Sequence, residues 1–75
     1  MVAKANSYPS LVKEIRKQLG LSQEDLAREL GVSFASVNRW ENGQVKPSKL
    51  AKAQLNAFCI KMAGKGRLKL SGALA

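Results

Sequence analysis

Apolar residues recur along the chain at helical spacing, and short polar punctuation separates one stretch from the next. Leu11, Val12, Ile15 and Leu19 fall on one stripe of a first helix starting near Pro9, a residue suited to a first turn, and Gly20 stands where a left-handed cap would end it. Ser22 is a good N-cap for a second helix, and Asp25 three residues on makes a near capping box with Asp in place of Glu or Gln. Leu21 and Leu26 occupy the two positions of a hydrophobic staple, Leu26, Ala27 and Leu30 form the inward face, and Gly31 closes the helix. The punctuation then repeats: Gly20-Leu21-Ser22 is echoed by Gly31-Val32-Ser33, so Ser33 caps a third helix with Val32 and Val37 as its staple, and Asn42-Gly43 ends it. Gln44 to Pro47 is a short loop. From Ser48 a fourth helix is expected, with Ala51, Leu55, Phe58 and Met62 on one stripe and Leu50 and Cys59 beside it. The expected organisation is a flexible N-terminus over residues 1–8, one helical domain over 9–63, and a basic, mobile tail over 64–75. No strand pattern appears, and the fold class is all-α, with four helices or five.

Two short helices joined by a three-residue turn containing Gly31 form the helix-turn-helix pattern. Ala27 must be small where the third helix crosses it, and Gly31 must reach positive φ without a Cβ penalty. With Val37 at zero on a wheel of about 100° per residue, Trp40 and Glu41 turn inward. Ala35, Asn38, Arg39 and Asn42 turn outward, with Phe34 and Ser36 on their flanks. Arg39 can read guanine through a planar fork or simply clamp a phosphate. Asn38 can pair with adenine or stay idle, and Ala35 offers only a methyl group. Phe34 can meet thymine methyls or fold back over the core.

Composition narrows the chemistry. The chain has 75 residues, one Cys and no His. An internal disulfide, the usual zinc sites and every His-dependent nucleophile pair are thereby excluded, so neither an enzyme nor a cofactor or metal is expected. No apolar run approaches a membrane span and the N-terminus has no signal-peptide stretch. A cytoplasmic protein without membrane contact is expected, with no ligand-sensing domain after the fourth helix. The net charge of +8 points to polyanion partners. Its distribution is uneven, because residues 11–45 carry five basic and five acidic groups, whereas residues 46–75 carry seven basic groups and no acid.

Residues 23–42, with the flanks LGLSQEDLAREL and VNRWENG, resemble the helix-turn-helix of the phage Cro and repressor (XRE) family, and the likeness extends over about residues 11–63. The resemblance implies a lambda-repressor-like domain that binds double-stranded DNA as a transcriptional regulator, with the third helix in the major groove. It implies base contacts from Phe34, Ala35, Asn38 and Arg39, nearly the same set as the one the wheel turns outward. It places Gln23 against a phosphate, and Ser36, Asn42, Lys46 and Lys49 are further backbone candidates. Relatives pair the position of Glu41 with an arginine on the first helix, which here is Arg16, so Arg16–Glu41 is implied as a structural ion pair. The stripe of helix 48–63 either closes the core alone or also meets a second chain in a homodimer. The rival function is a protein-interaction module of antitoxin or coactivator type built on the same fold. A basic RNA or membrane-surface binder fits less well, since the fourth helix lacks a strongly basic face with aromatic anchors.

Overall fold

The computed structural model describes residues 8–69 and resolves them into four helices: α1 (Tyr8–Leu19), α2 (Gln23–Leu30), α3 (Phe34–Glu41) and α4 (Lys49–Gly64). Among the described residues there is no strand. The start and stop signals act as their chemistry dictates. The Ser22 hydroxyl accepts from the Asp25 backbone N–H at 3.0 Å, while the Asp25 carboxylate accepts from the Ser22 N–H at 3.1 Å, a complete capping box. Ser33 and Ser48 cap α3 and α4 through the hydroxyl alone, which accepts from the backbone N–H of Ser36 and of Ala51. At the end of α2, Gly31 adopts φ 72°, letting Val32 N–H reach the Ala27 carbonyl and Gly31 N–H the Arg28 carbonyl. The other three helices close on the same pair of bonds.

These turns fold the apolar stripes onto one another. Val12, Ile15, Leu26, Val37 and Leu55 are fully buried, and Trp40, Leu30 and Ala27 are nearly so. α3 packs against both α1 and α2, and α4 packs against α2. The staple residues Leu21 and Val32 lie partly buried against this core. Removing one of the large central side chains costs about 2–5 kcal/mol, a large share of the stability of so short a domain.

Of the two alternatives for the fourth-helix stripe, closure of the core describes it: Ala51, Leu55 and Phe58 are buried and Met62 packs partly buried on the core. Two expectations need correction. Leu50, expected beside that stripe, is 71% exposed, because it lies one position round the helix from Ala51 and projects past the edge of the core. The expected mobile tail is ordered through Lys69. Gly66, at φ 73°, reverses the chain after α4, and Leu68 returns to the core at 3% exposure. The Gln18 side-chain amide then grips the Lys69 backbone at both ends, accepting its N–H at 2.8 Å and donating to its carbonyl at 3.1 Å. The expected flexible segment of residues 1–8 lies outside the described residues except for Tyr8, which starts α1. The remainder of the expected tail, residues 70–75, also lies outside them.

Candidate nucleic-acid interface

The outer surface of α3 and the start of α2 form the candidate interface. Its foundation is a polar chain that links three helices. Arg16 on α1 donates to Glu41 at the end of α3 through Nε at 2.6 Å and Nη2 at 2.9 Å, a bidentate pair, and its Nη1 donates to the Leu21 carbonyl at 3.1 Å. Gln23, the first residue of α2, donates to the same Glu41 carboxylate at 3.0 Å. The Gln23 carbonyl oxygen accepts from Asn38 at 3.1 Å, and the Asn38 oxygen accepts from Asn42 at 3.1 Å. Five side chains on α1, α2 and α3 thus form one continuous run.

Glu41 is the anchor of that run. It is only 4% exposed. Burial pushes its carboxyl upward, but the hydrogen bonds from Arg16 and Gln23 and the Arg16 charge outweigh this and hold it below the usual carboxylate range. The same hydrogen bond raises Arg16. Among the described residues no buried side-chain nitrogen or oxygen lacks a partner.

The candidate contact residues divide by their freedom. Arg39 is exposed, and Phe34 is 48% exposed, so of its two alternatives the outward one describes it better. Ala35 is half-buried at the start of α3. Asn38 is also half-buried, and both ends of its amide are engaged by Gln23 and Asn42. The wheel could not foresee that engagement, since wheels see one helix and Gln23 lies on another. Gln23 keeps one amide N–H for an outside acceptor after serving Glu41. The Ser36 hydroxyl lies 3.0 Å from that of Ser33, the α3 cap, and Asn42 projects from the exposed end of α3. Lys46 and Lys49 are exposed in the α3–α4 loop and at the start of α4. The carboxylate set offers no metal site: among the described residues no group of three His, Cys, Asp or Glu side chains converges. Nor is any described helix long and apolar enough to cross a membrane.

A capped helix, a left-handed glycine turn and a second helix held across the first by Val37, Trp40 and Glu41 define a helix-turn-helix unit. Residues 12–51 match the helix-turn-helix family model, and the chain belongs to that family, in its Cro/repressor (XRE) type. Similar proteins include the uncharacterized HTH-type transcriptional regulator YiaG of Escherichia coli strain K12, 51% identical over 37 residues that make up 49% of this chain and 38% of YiaG. An uncharacterized HTH-type transcriptional regulator of Methanothermobacter thermautotrophicus is 44% identical over 39 residues, 52% of this chain and 56% of that protein. The matched segments therefore span well under two thirds of either relative. No solved structure is similar to the chain at a significant level.

Proposed function

We propose that the protein is a sequence-specific double-stranded DNA-binding regulator of transcription, acting in the cytoplasm, which inserts α3 into the major groove. The observation that carries this reading is the two-sidedness of α3. Val37, Trp40 and Glu41 fasten one side to α1 and α2, while Phe34 and Arg39 stand free on the other. A major groove accepts one helix held in this way. Arg39 reads a base through its fork, Phe34 and Ala35 supply apolar contact to thymine methyls, and Asn38 reads from within its amide chain. Gln23, with its spare N–H, meets a phosphate beside the α2 N-terminus, where backbone dipoles favour an anion. Ser36, Asn42, Lys46 and Lys49 contact the flanking backbone. The protein binds as a homodimer through α4, matching a two-fold protein to a palindromic site.

Selection from a randomised duplex pool, followed by titration at several salt concentrations, tests the proposal. Arg39→Ala should relax preference at one base step by about 1–3 kcal/mol, whereas Lys46→Ala should weaken all duplexes alike and lower the salt slope by about one. A pool that yields no consensus removes the regulator reading in favour of a protein-interaction module. Equal loss on every sequence for both variants refutes the assignment of Arg39.

A further inference from the structure

A primary amide keeps nearly the same shape when its nitrogen and oxygen change places, so shape alone leaves Gln23, Asn38 and Asn42 two orientations each. A carboxylate has no such freedom, because it only accepts. Glu41 is buried, and its hydrogen bonds from Arg16 and Gln23 hold it ionised at neutral pH. Its Oε1 accepts from Gln23 Nε2 at 3.0 Å, so Gln23 turns its nitrogen inward and its oxygen toward Asn38. That oxygen demands the Asn38 nitrogen, 3.1 Å away, and the Asn38 oxygen then demands the Asn42 nitrogen, also at 3.1 Å. Every amide in the run donates toward Glu41. One buried charge thus dictates the direction of a chain that ends at exposed Asn42.

That direction decides what Asn38 offers outward. After its two internal bonds the amide keeps one N–H and one lone pair, with nitrogen on the Gln23 side and oxygen on the Asn42 side. Adenine presents an acceptor and a donor side by side in the major groove, N7 and N6, and asparagine pairs with both. An amide held one way meets them in one order only. Turned over, it mismatches that edge and suits a base pair that presents donor and acceptor in the reverse order.

We propose that Glu41, without touching DNA, is a positioning residue that selects the base preferred by Asn38, because it fixes the direction of the amide chain. The inference rests on the reading of α3 as the major-groove helix and names what orients one of its readers. A glutamine at position 41 supplies the contrast. It has nearly the same shape, but either its oxygen or its NH2 group can face Gln23, each at the cost of one Arg16 bond. Both directions of the chain then open. Leucine at 41, with Arg16 replaced by Met, opens both as well, since Gln23 loses the partner that orients it.

Side-chain amide NMR of the free protein reads the direction, and duplex selection reads its use. In the wild type, Gln23, Asn38 and Asn42 should each show one NH2 proton shifted and slow to exchange. Circular dichroism melts first confirm that Glu41→Gln and Arg16→Met/Glu41→Leu are folded; the double variant, which leaves no buried charge, decides where the single one unfolds. In both, the Asn38 and Asn42 signals should lose that distinction, although neither side chain touches residue 41. A purely structural ion pair would alter Gln23 and leave Asn42 as it was. Among selected duplexes, preference at one base step should fall by about 5- to 150-fold, the discrimination of one bidentate pair, while the step read by Arg39 keeps its own. Unchanged Asn42 signals overturn the fixed direction. Changed signals with an unaltered base preference overturn its role in base choice. A wild-type pool without consensus removes the DNA reading and base choice together, and the amide signals still report the direction.

Discussion

Replacing Arg16 by Met should convert the anchor of the recognition unit into a liability, and the pH dependence should reveal how. Arg16 supplies two of the three hydrogen bonds to the Glu41 carboxylate and satisfies the Leu21 carbonyl as well. The arginine side chain is 25% exposed but that of Glu41 is 2% exposed, so the group left behind is the buried one. Breaking one side of a buried pair costs about 3–5 kcal/mol, against a total stability of about 3–9 kcal/mol at the usual value per residue for a domain of this size. Urea unfolding followed by circular dichroism should therefore place Arg16→Met at the edge of folding at pH 7. The double variant Arg16→Met/Glu41→Leu should recover much of the loss, since no charge remains buried.

Acidification should separate the two proteins. In the wild type the Glu41 carboxyl sits below its unfolded value, so its contribution is present above the ordinary carboxylate range and is lost as pH falls through the folded value. In Arg16→Met, burial dominates and the folded value lies above the unfolded one. Protonation then favours the folded state, and this term strengthens as pH falls from neutrality toward the carboxylate range. The difference in stability between the two proteins should narrow between about pH 7 and pH 4. A cost below about 1 kcal/mol, or a difference that stays constant over that range, refutes the idea that Glu41 is a buried charge held by Arg16.

Two further outcomes follow from the core. Leu68→Ala should destabilise the domain by about 2–4 kcal/mol, the cost of a buried leucine truncation, in the same melts; a change within about 0.5 kcal/mol, as at ordinary surface sites, would show that the segment after α4 is not part of the core. Burial pushes the Cys59 thiol up to about 11, so it should resist thiol reagents at pH 8 while the protein is folded and react at the rate of a free cysteine in urea. Rapid labelling of the native protein would contradict its place beside Phe58 and Leu55.

The helices were legible because each is bounded by residues whose chemistry is local. Ser22, Ser33 and Ser48 cap through their own hydroxyls, and Gly20, Gly31 and Gly43 take up the left-handed turns. The inward positions of Trp40 and Glu41 follow from one helical period. The return of residues 66–69 to the core was not legible, because Gly66 and Leu68 carry no periodic signal. Yet Gly66 closes α4 with the same pair of backbone bonds that Gly20 and Gly31 make, with the returning apolar residue two positions on instead of one, and that glycine supplies a clue that periodicity lacks. The amide chain from Gln23 to Asn42 was beyond reach for another reason. The links that Gln23 makes to Asn38 and Glu41 join residues 15 and 18 positions apart, and their meeting depends on how α2 crosses α3.

That chain also changes what specificity would require of this surface. An Asn38 free in solvent would surrender only rotamer entropy on pairing with a base. Here its amide donates to Gln23 and accepts from Asn42, and Gln23 in turn is tied to Glu41. A base that takes Asn38 must either use its remaining N–H, leaving the chain whole, or break a link and leave Gln23 to find a phosphate. In the first case Asn38, Gln23 and Glu41 act as one rigid template, and replacing any of them shifts the others. In the second, base and backbone contacts are coupled, because each is completed as the internal bond is given up. Arg39 stands outside the chain and has no such linkage. Gln23→Ala and Arg39→Ala should therefore combine additively in DNA affinity, whereas Gln23→Ala and Asn38→Ala should depart from additivity by at least about 0.5 kcal/mol, the usual threshold for residues in one network. Additivity in both cycles would mean that the amide chain plays no part in recognition.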